Sequence, residues 1–157
     1  MVQLLLDKDN NGLDELDYKI LKLLEMDAFI TYAELSKGLN VNQSTIRKRI
    51  VSLRKRGIIR KASIYINPKK LGFEVVALLE MQVAPAKTND VVKKLMALSE
   101  NKWVTVCLGD CQVHTVTWAR NLRHLSEVIS EKIGPIEGIL RVSTSLVIDT
   151  VKEEQMG

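Results

Sequence analysis

NQSTIRKRIVSLRKRGIIRK, residues 42–61, holds eight basic side chains between Arg47 and Lys61 and no acidic one. Its apolar residues Ile46, Ile50 and Leu53 recur at i, i+4 and i+7, which is one face of an α-helix. With that face buried, Gln43, Ser44, Arg47, Lys48, Val51, Arg54 and Lys55 are left on the other side. Asn42 can accept a hydrogen bond from the free amides of a first turn, so the spacing predicts an N-cap there. Gly57 can take the left-handed conformation that ends a helix, and the β-branched pair Ile58-Ile59 then predicts a strand. A basic run on an amphipathic helix is commonly a solvated face. A helix that opens on short hydrogen-bonding side chains and continues in arginines is also what a DNA major groove accepts.

What precedes this helix favours the second reading. Asp14 is placed to cap a helix running to about Met26, with Leu13 as a staple and Leu16, Ile20, Leu23 and Leu24 as its buried stripe. Thr31 and Glu34 have capping-box spacing and open a short helix that ends near Lys37 to Leu39. Asn40-Val41 makes the turn into the basic helix. Three short helices with a tight turn between the last two describe a helix-turn-helix, with Leu35, Leu39, Val41, Ile46 and Ile50 as packing residues. A plain three-helix bundle has no need of the basic, small-polar surface left over.

The 157 residues suffice for one domain or two small ones, with 46% apolar residues to build cores. The net charge of +4 hides an asymmetry. Residues 1–72 carry 14 Lys/Arg against 8 Asp/Glu, and residues 73–157 carry 9 against 11. A polyanion should therefore dock on the N-terminal half. No apolar run is long enough to span a membrane, and the acidic flanks of Leu4 to Leu6 do not fit a signal peptide, so a cytoplasmic protein is expected. Those leucines could pack on a partner or form a short extra element. Cys107 and Cys111 are expected as buried reduced thiols within a strand pair, and His114 and His124 are isolated. No metal-ligand spacing, phosphate-binding glycine loop or nucleophile–base pair is present, so neither a cofactor nor catalysis is expected.

Ile58 to Ile66 reads as a strand, and Asn67-Pro68-Lys69-Lys70-Leu71-Gly72 breaks it. This divides the chain into residues 1–60, a connecting stretch 61–72, and a second domain 73–157. In the latter, Glu74 to Ala84 is a strand and Thr88 to Ser99 a helix. Trp103 to Leu108 and Val113 to Ala119 are strands about a Gly109-Asp110-Cys111 turn. Asn121 caps a helix to about Ile133 with Leu122, Leu125, Val128 and Ile129 buried, and Leu140 to Val151 is the last strand. The fold class is thus α+β. A helix-turn-helix, winged-helix-like, precedes a ferredoxin-like βαββαβ sheet with both helices on one face. The apolar alternation of Val104, Val106 and Leu108, and of Val142, Leu146 and Ile148, is expected to make the other face apolar, to be covered by a partner sheet.

Both halves together resemble the leucine-responsive/asparagine-regulator (Lrp/AsnC) family of prokaryotic transcription regulators. The resemblance rests on Leu13-Asp14 through Asp17, Ile20-Leu21, Ala33-Glu34-Leu35-Ser36, Ser44-Thr45-Ile46 to Leu53 and Gly57-Ile58-Ile59. Asn67-Pro68 with Leu71-Gly72, Gly109-Asp110 and Arg141-Val142-Ser143-Thr144 continue it. It implies a homodimer paired through C-terminal sheets, commonly assembled into octamers. It also implies binding to double-stranded promoter DNA, often upstream of the protein's own gene, modulated by an amino acid. By the same match Gln43, Ser44, Thr45, Arg47 and Lys48 lie where such proteins read base edges. Arg54, Lys55, Arg60 and Lys61 suit phosphate by their chemistry.

The effector positions implied are Gly109, Asp110, Gln112, Asn121, Arg123 and Thr144. Where family members often carry aspartates, this chain has Gln112, Asn121 and Arg123. Losing carboxylates that would pair with an ammonium, and gaining an arginine, points to an acidic metabolite or to no ligand. The alternative is that Arg123 is an ordinary exposed helix residue. Two other functions fit the scaffold: an architectural DNA-binding protein of low specificity, and a haem-pathway decarboxylase, which would have no use for an all-basic helix.

Overall fold

The computed structural model of the protein describes residues 12–150. Leu4 to Leu6 and Val151 lie outside the described residues, and the last strand, expected to run to Val151, already ends at Leu146. The chain forms two compact units that divide between Tyr65 and Ile66.

The first unit consists of α1 (Glu15–Met26), α2 (Tyr32–Leu39) and α3 (Gln43–Lys55). Each starts where its cap predicts. The Asp17 amide donates to Asp14 Oδ1 at 2.9 Å, and the Glu34 amide donates to Thr31 Oγ1 at 3.2 Å. The Ser44 amide donates to Asn42 Oδ1 at 2.8 Å. Such side chains take up donors that a helix start leaves unpaired. Asn40 makes the turn between α2 and α3 in the left-handed region (φ 51, ψ 46), with the Val41 amide donating to Ser36 O. Ile20, Leu35, Ile46, Ile50 and Leu53 form the buried core, flanked by Leu16, Leu23, Leu24, Leu39 and Val41.

Gly57 ends α3 at φ 72, but the expected strand from Ile58 to Ile66 does not form. The amides of Ile58 and Ile59 both donate back to Leu53 O, at 3.0 and 3.2 Å. Both side chains pack on the core that contains Leu53. That is a helix-closing turn with its usual apolar contact, and it uses the donors a strand would need. Residues 60–67 are exposed and, among the described residues, have no neighbouring strand to complete a ladder.

The second unit runs β1 (Val75–Val83), α4 (Thr88–Ala97), β2 (Asn101–Val106), β3 (Val113–Ala119), α5 (Leu122–Glu127) and β4 (Ile139–Leu146). The strands form an antiparallel sheet in the order β2-β3-β1-β4. From β1 the residues Ala77, Leu79, Met81 and Val83 meet Val91 and Leu95 of α4 and Leu125 of α5 in one buried core. Both helices therefore lie on one face. After α5 the chain continues as a π-helical turn, Val128–Ile133. At about 100° per residue Ile133 would point roughly 140° away from Val128. The wider turn brings both into the core. Leu122, expected in that core, is 61% exposed, because it opens the helix on the solvent side.

The register also corrects which sheet face carries which residues. Val104 pairs with Thr115, Val106 with Val113, Val142 with Met81 and Leu146 with Ala77. Each partner is buried on the helix side, and directly paired residues share a face, so these four belong to the helix side. Leu108 lies in the β2–β3 turn and Ile148 beyond β4. The open face carries instead half-buried Val76, Leu78, Trp103, Val116 and Trp118, bordered by Glu80 and His114. Alternation tells which residues share a face, but not which face the helices cover.

Two expectations follow. A Cβ on Gly138 would stand 2.5 Å from Lys87 Cβ, at a φ of +104. Gly138→Ala should therefore lower the stability of this unit by about 2–4 kcal/mol. Chemical denaturation of the two proteins measures it, and equal midpoints would refute the clash. Lys132 Nζ, 2.5 Å from Glu100 Oε1, holds that carboxyl below its ordinary value of 4.5. A carboxylate whose pKa is lowered by folding contributes stability above the unfolded value and loses it as pH falls through the folded one. Melting temperature should thus decline below about pH 4.5, and less steeply in Lys132→Met than in the parent.

Candidate nucleic-acid interface

The surface of α3 is set by which residues its core takes. Ile46, Ile50 and Leu53 are buried, and Thr45 is half-buried beside them. Gln43, Ser44, Arg47 and Lys48 are all exposed on the first two turns, and Arg54 and Lys55 on the last. Arg60 and Lys61 follow on the exposed segment after the helix-closing turn. The structure thus brings Gln43, Ser44, Arg47 and Lys48 together at the start of one exposed helix face.

One member of the basic run has a different role. Arg49 Nη1 stands 2.5 Å from Asp14 Oδ2 and 3.3 Å from both carboxylate oxygens of Asp17. Asp17 is only 3% exposed, and Asp14 is the cap of α1. Arg49 therefore ties α3 to the start of α1. The Asp17 amide, joined by the Arg49 guanidinium, holds the Asp14 carboxyl below the usual aspartate range against an opposing desolvation. Asp14, then Asp17, hold the guanidinium more firmly charged in return. The spacing sets Arg49 apart from its basic neighbours, since it stands three residues after Ile46 and four before Leu53, on the apolar side of α3. Its partners were not legible there, because the pair of acids opening α1 reads equally well as a helix-dipole partner.

The implied effector positions are less uniform. Gly109, Asp110, Arg123 and Thr144 are exposed. Gln112 and Asn121 have structural work. The Val83 amide donates to Gln112 Oε1 at 2.9 Å, where β1 runs past the start of β3 and the main-chain ladder has ended. The His124 amide donates to Asn121 Oδ1 at 2.9 Å, capping α5. Each amide keeps its NH2 group, which only donates. Cys107 and Cys111, expected to be buried within strands, are half-buried at the two ends of the β2–β3 turn, because β2 ends at Val106. Among the described residues no cluster of metal-ligating side chains is present, and no helix is long and apolar enough to cross a membrane.

Comparison with known proteins matches two stretches of the chain to separate family models. Residues 13–60 match a model described as winged helix-turn-helix DNA-binding, and residues 76–156 match the Lrp/AsnC ligand binding domain. The chain is 34% identical over 140 residues to the HTH-type transcriptional regulator LrpA of Pyrococcus horikoshii, covering 89% of this chain and 99% of that protein. It is 32% identical over 141 residues to the HTH-type transcriptional regulator Ptr1 of Methanocaldococcus jannaschii, covering 90% of this chain and 95% of that protein. Among solved structures, E. coli AsnC superposes with a TM-score of 0.82 at 27% identity, over 93% of this chain and 99% of that one. A capped helix-turn-helix with a basic exposed face, a βαββαβ sheet and full-length similarity to such regulators have one common account: the chain belongs to the Lrp/AsnC family of DNA-binding transcription regulators.

Proposed function

We propose that the protein is a sequence-specific regulator that binds promoter DNA as a homodimer, with α3 of each protomer in a major groove. The exposed set Gln43, Ser44, Arg47 and Lys48 carries this reading, because amide, hydroxyl and guanidinium groups there can meet base edges. Arg54, Lys55, Arg60 and Lys61 neutralise phosphates on either side, and Thr45, half-buried, contributes through its hydroxyl at the margin. Residues 1–60 form the DNA-binding domain, 61–72 the connection and 73–157 the sensing and pairing domain. The open sheet face, with Val76, Leu78, Trp103, Val116 and Trp118 half-buried, supports pairing of two sheets there and assembly into larger rings such as octamers. The protein acts in the cytoplasm, where prokaryotic promoters lie.

The effector fits the same domain. Gln112 and Asn121 offer only donors, and Arg123 adds an exposed cation, so a carboxylate-rich metabolite suits these positions better than a neutral amino acid. Calorimetry with the amino acids and common keto acids tests this, and saturable binding of leucine would sink it.

For the DNA reading, fluorescence anisotropy is measured against a fragment from upstream of the protein's own gene and a scrambled fragment. A preference of ~10³-fold or more is expected for a true operator. Equal binding would support an architectural role instead. No binding at low salt would leave the basic helix without a function. At the operator, Gln43→Ala or Arg47→Ala should each cost about 1–3 kcal/mol at particular base pairs, whereas Arg54→Ala or Lys55→Ala should weaken all sequences alike.

A further inference from the structure

Neither DNA contact nor sheet pairing uses the two cysteines, yet the fold places both at one hairpin. β2 and β3 stay in register up to Val106 opposite Val113, and the Cys107 amide then donates to Gln112 O at 2.7 Å. Cys107 thus faces Gln112, and Cys111 is the next residue along. The two cysteines therefore flank the closing hydrogen bond of one short turn. Both are free and half-buried.

The loop between them is not packed against the rest of the unit. Leu108, Gly109 and Asp110 are all exposed. Gly109 sits at φ +142, and a Cβ built on it meets nothing within 4 Å. The flanks, by contrast, are anchored. His114 Nε2 donates to Cys111 O at 2.8 Å, and Gln112 Oε1 holds the Val83 amide. Because neighbouring strand residues point to opposite faces, the two Cβ atoms do not start aligned. A bridge therefore requires the exposed tip to rotate Cys111 towards Cys107, drawing its carbonyl away from His114.

We propose that Cys107 and Cys111 form an oxidisable dithiol, which a peroxide closes into a disulfide that reshapes the β2–β3 turn. One thiolate attacks a peroxide oxygen, forming an S–O bond as the O–O bond breaks, and the departing oxygen leaves as water. The second thiolate attacks the sulfenic sulfur, forming the S–S bond and expelling hydroxide, which takes up a proton. Two thiols lose two electrons in all, and hydrogen peroxide is reduced to two waters. The turn that changes shape carries Gly109 and Asp110, so oxidation would alter effector capture. That consequence rests on the effector reading above, whereas the closure itself does not.

The test uses the full chain, reduced, desalted and treated with hydrogen peroxide before denaturing thiol titration and intact mass measurement. Loss of both thiols together, a mass lower by two hydrogens, monomeric mobility on a non-reducing gel and recovery with dithiothreitol are expected. Cys107→Ser and Cys111→Ser should each retain a single thiol that a sulfenic-acid trap labels after peroxide. Persistent thiols, masses raised by added oxygen, or covalent dimers would overturn the proposal. Hydrogen exchange across residues 107–114 reads the turn directly, and identical exchange in oxidised and reduced protein would overturn the reshaping. These readouts need neither DNA nor effector, so their failure is separate from failure of the regulatory reading.

Discussion

A fourfold rise in salt concentration is expected to weaken operator binding by roughly four decades, because a dimer that neutralises about eight phosphates has a salt slope near −7. In the proposed dimer the eight would come from four side chains on each protomer: Arg54, Lys55, Arg60 and Lys61. All four are exposed in the first unit, which the whole chain's charge asymmetry marks as its basic half. Removing one phosphate contact from each protomer should make the slope shallower by about 2 for the dimer. Arg49 gives the contrasting control. Its guanidinium already serves Asp14 and Asp17, so Arg49→Met should lower the melting temperature of the first unit while leaving the salt slope unchanged. Anisotropy titrations at several salt concentrations measure both. A slope near zero would mean that α3 does not lie against a phosphate backbone.

Leu53→Ala should abolish DNA binding without altering any side chain offered to DNA. Leu53 is fully buried against Ile20, Leu35, Ile46 and Ile50, and its carbonyl receives the Ile58 and Ile59 amides. Truncating a buried leucine costs about 2–5 kcal/mol, in a unit of this size whose whole stability is roughly 3–8 kcal/mol. The first unit should therefore melt at or near working temperature. The sheet, whose core is made of other residues, should keep its own transition. Calorimetry separates the two, and a variant that retains both transitions and full affinity would refute the account of this core. Leu53→Met, of similar volume, should cost less than ~1.5 kcal/mol and preserve binding.

What was legible in the sequence was local. Asp14, Thr31 and Asn42 mark helix starts because a cap needs only a side-chain oxygen within the first turn. Gly57 marks a helix end because its φ of 72 suits glycine. The 3.6-residue period of Ile46, Ile50 and Leu53 told which face of α3 would be buried, and so which residues would be left to meet DNA. These features rest on residues within a few positions of one another. The order βαββαβ was legible for the same reason, since each element announces its own period and its own breakers.

The readings that failed depended on partners distant in sequence. Ile58-Ile59 has strand propensity, but Leu53 O takes both amides and the helix core takes both side chains. The structural bond of Gln112 was not legible, because β1 brings the Val83 amide to its Oε1 from 29 residues away. Arg49 falls on the apolar side of α3 by its spacing, but its partners Asp14 and Asp17 are brought to it by α1. Sequence alone determined the family, the helices and the basic face, because caps, periods and charge are written in neighbouring residues. Only the tertiary structure decided which acids hold Arg49, which sheet face is open and what Gln112 bonds to, because register and packing set those contacts across the chain.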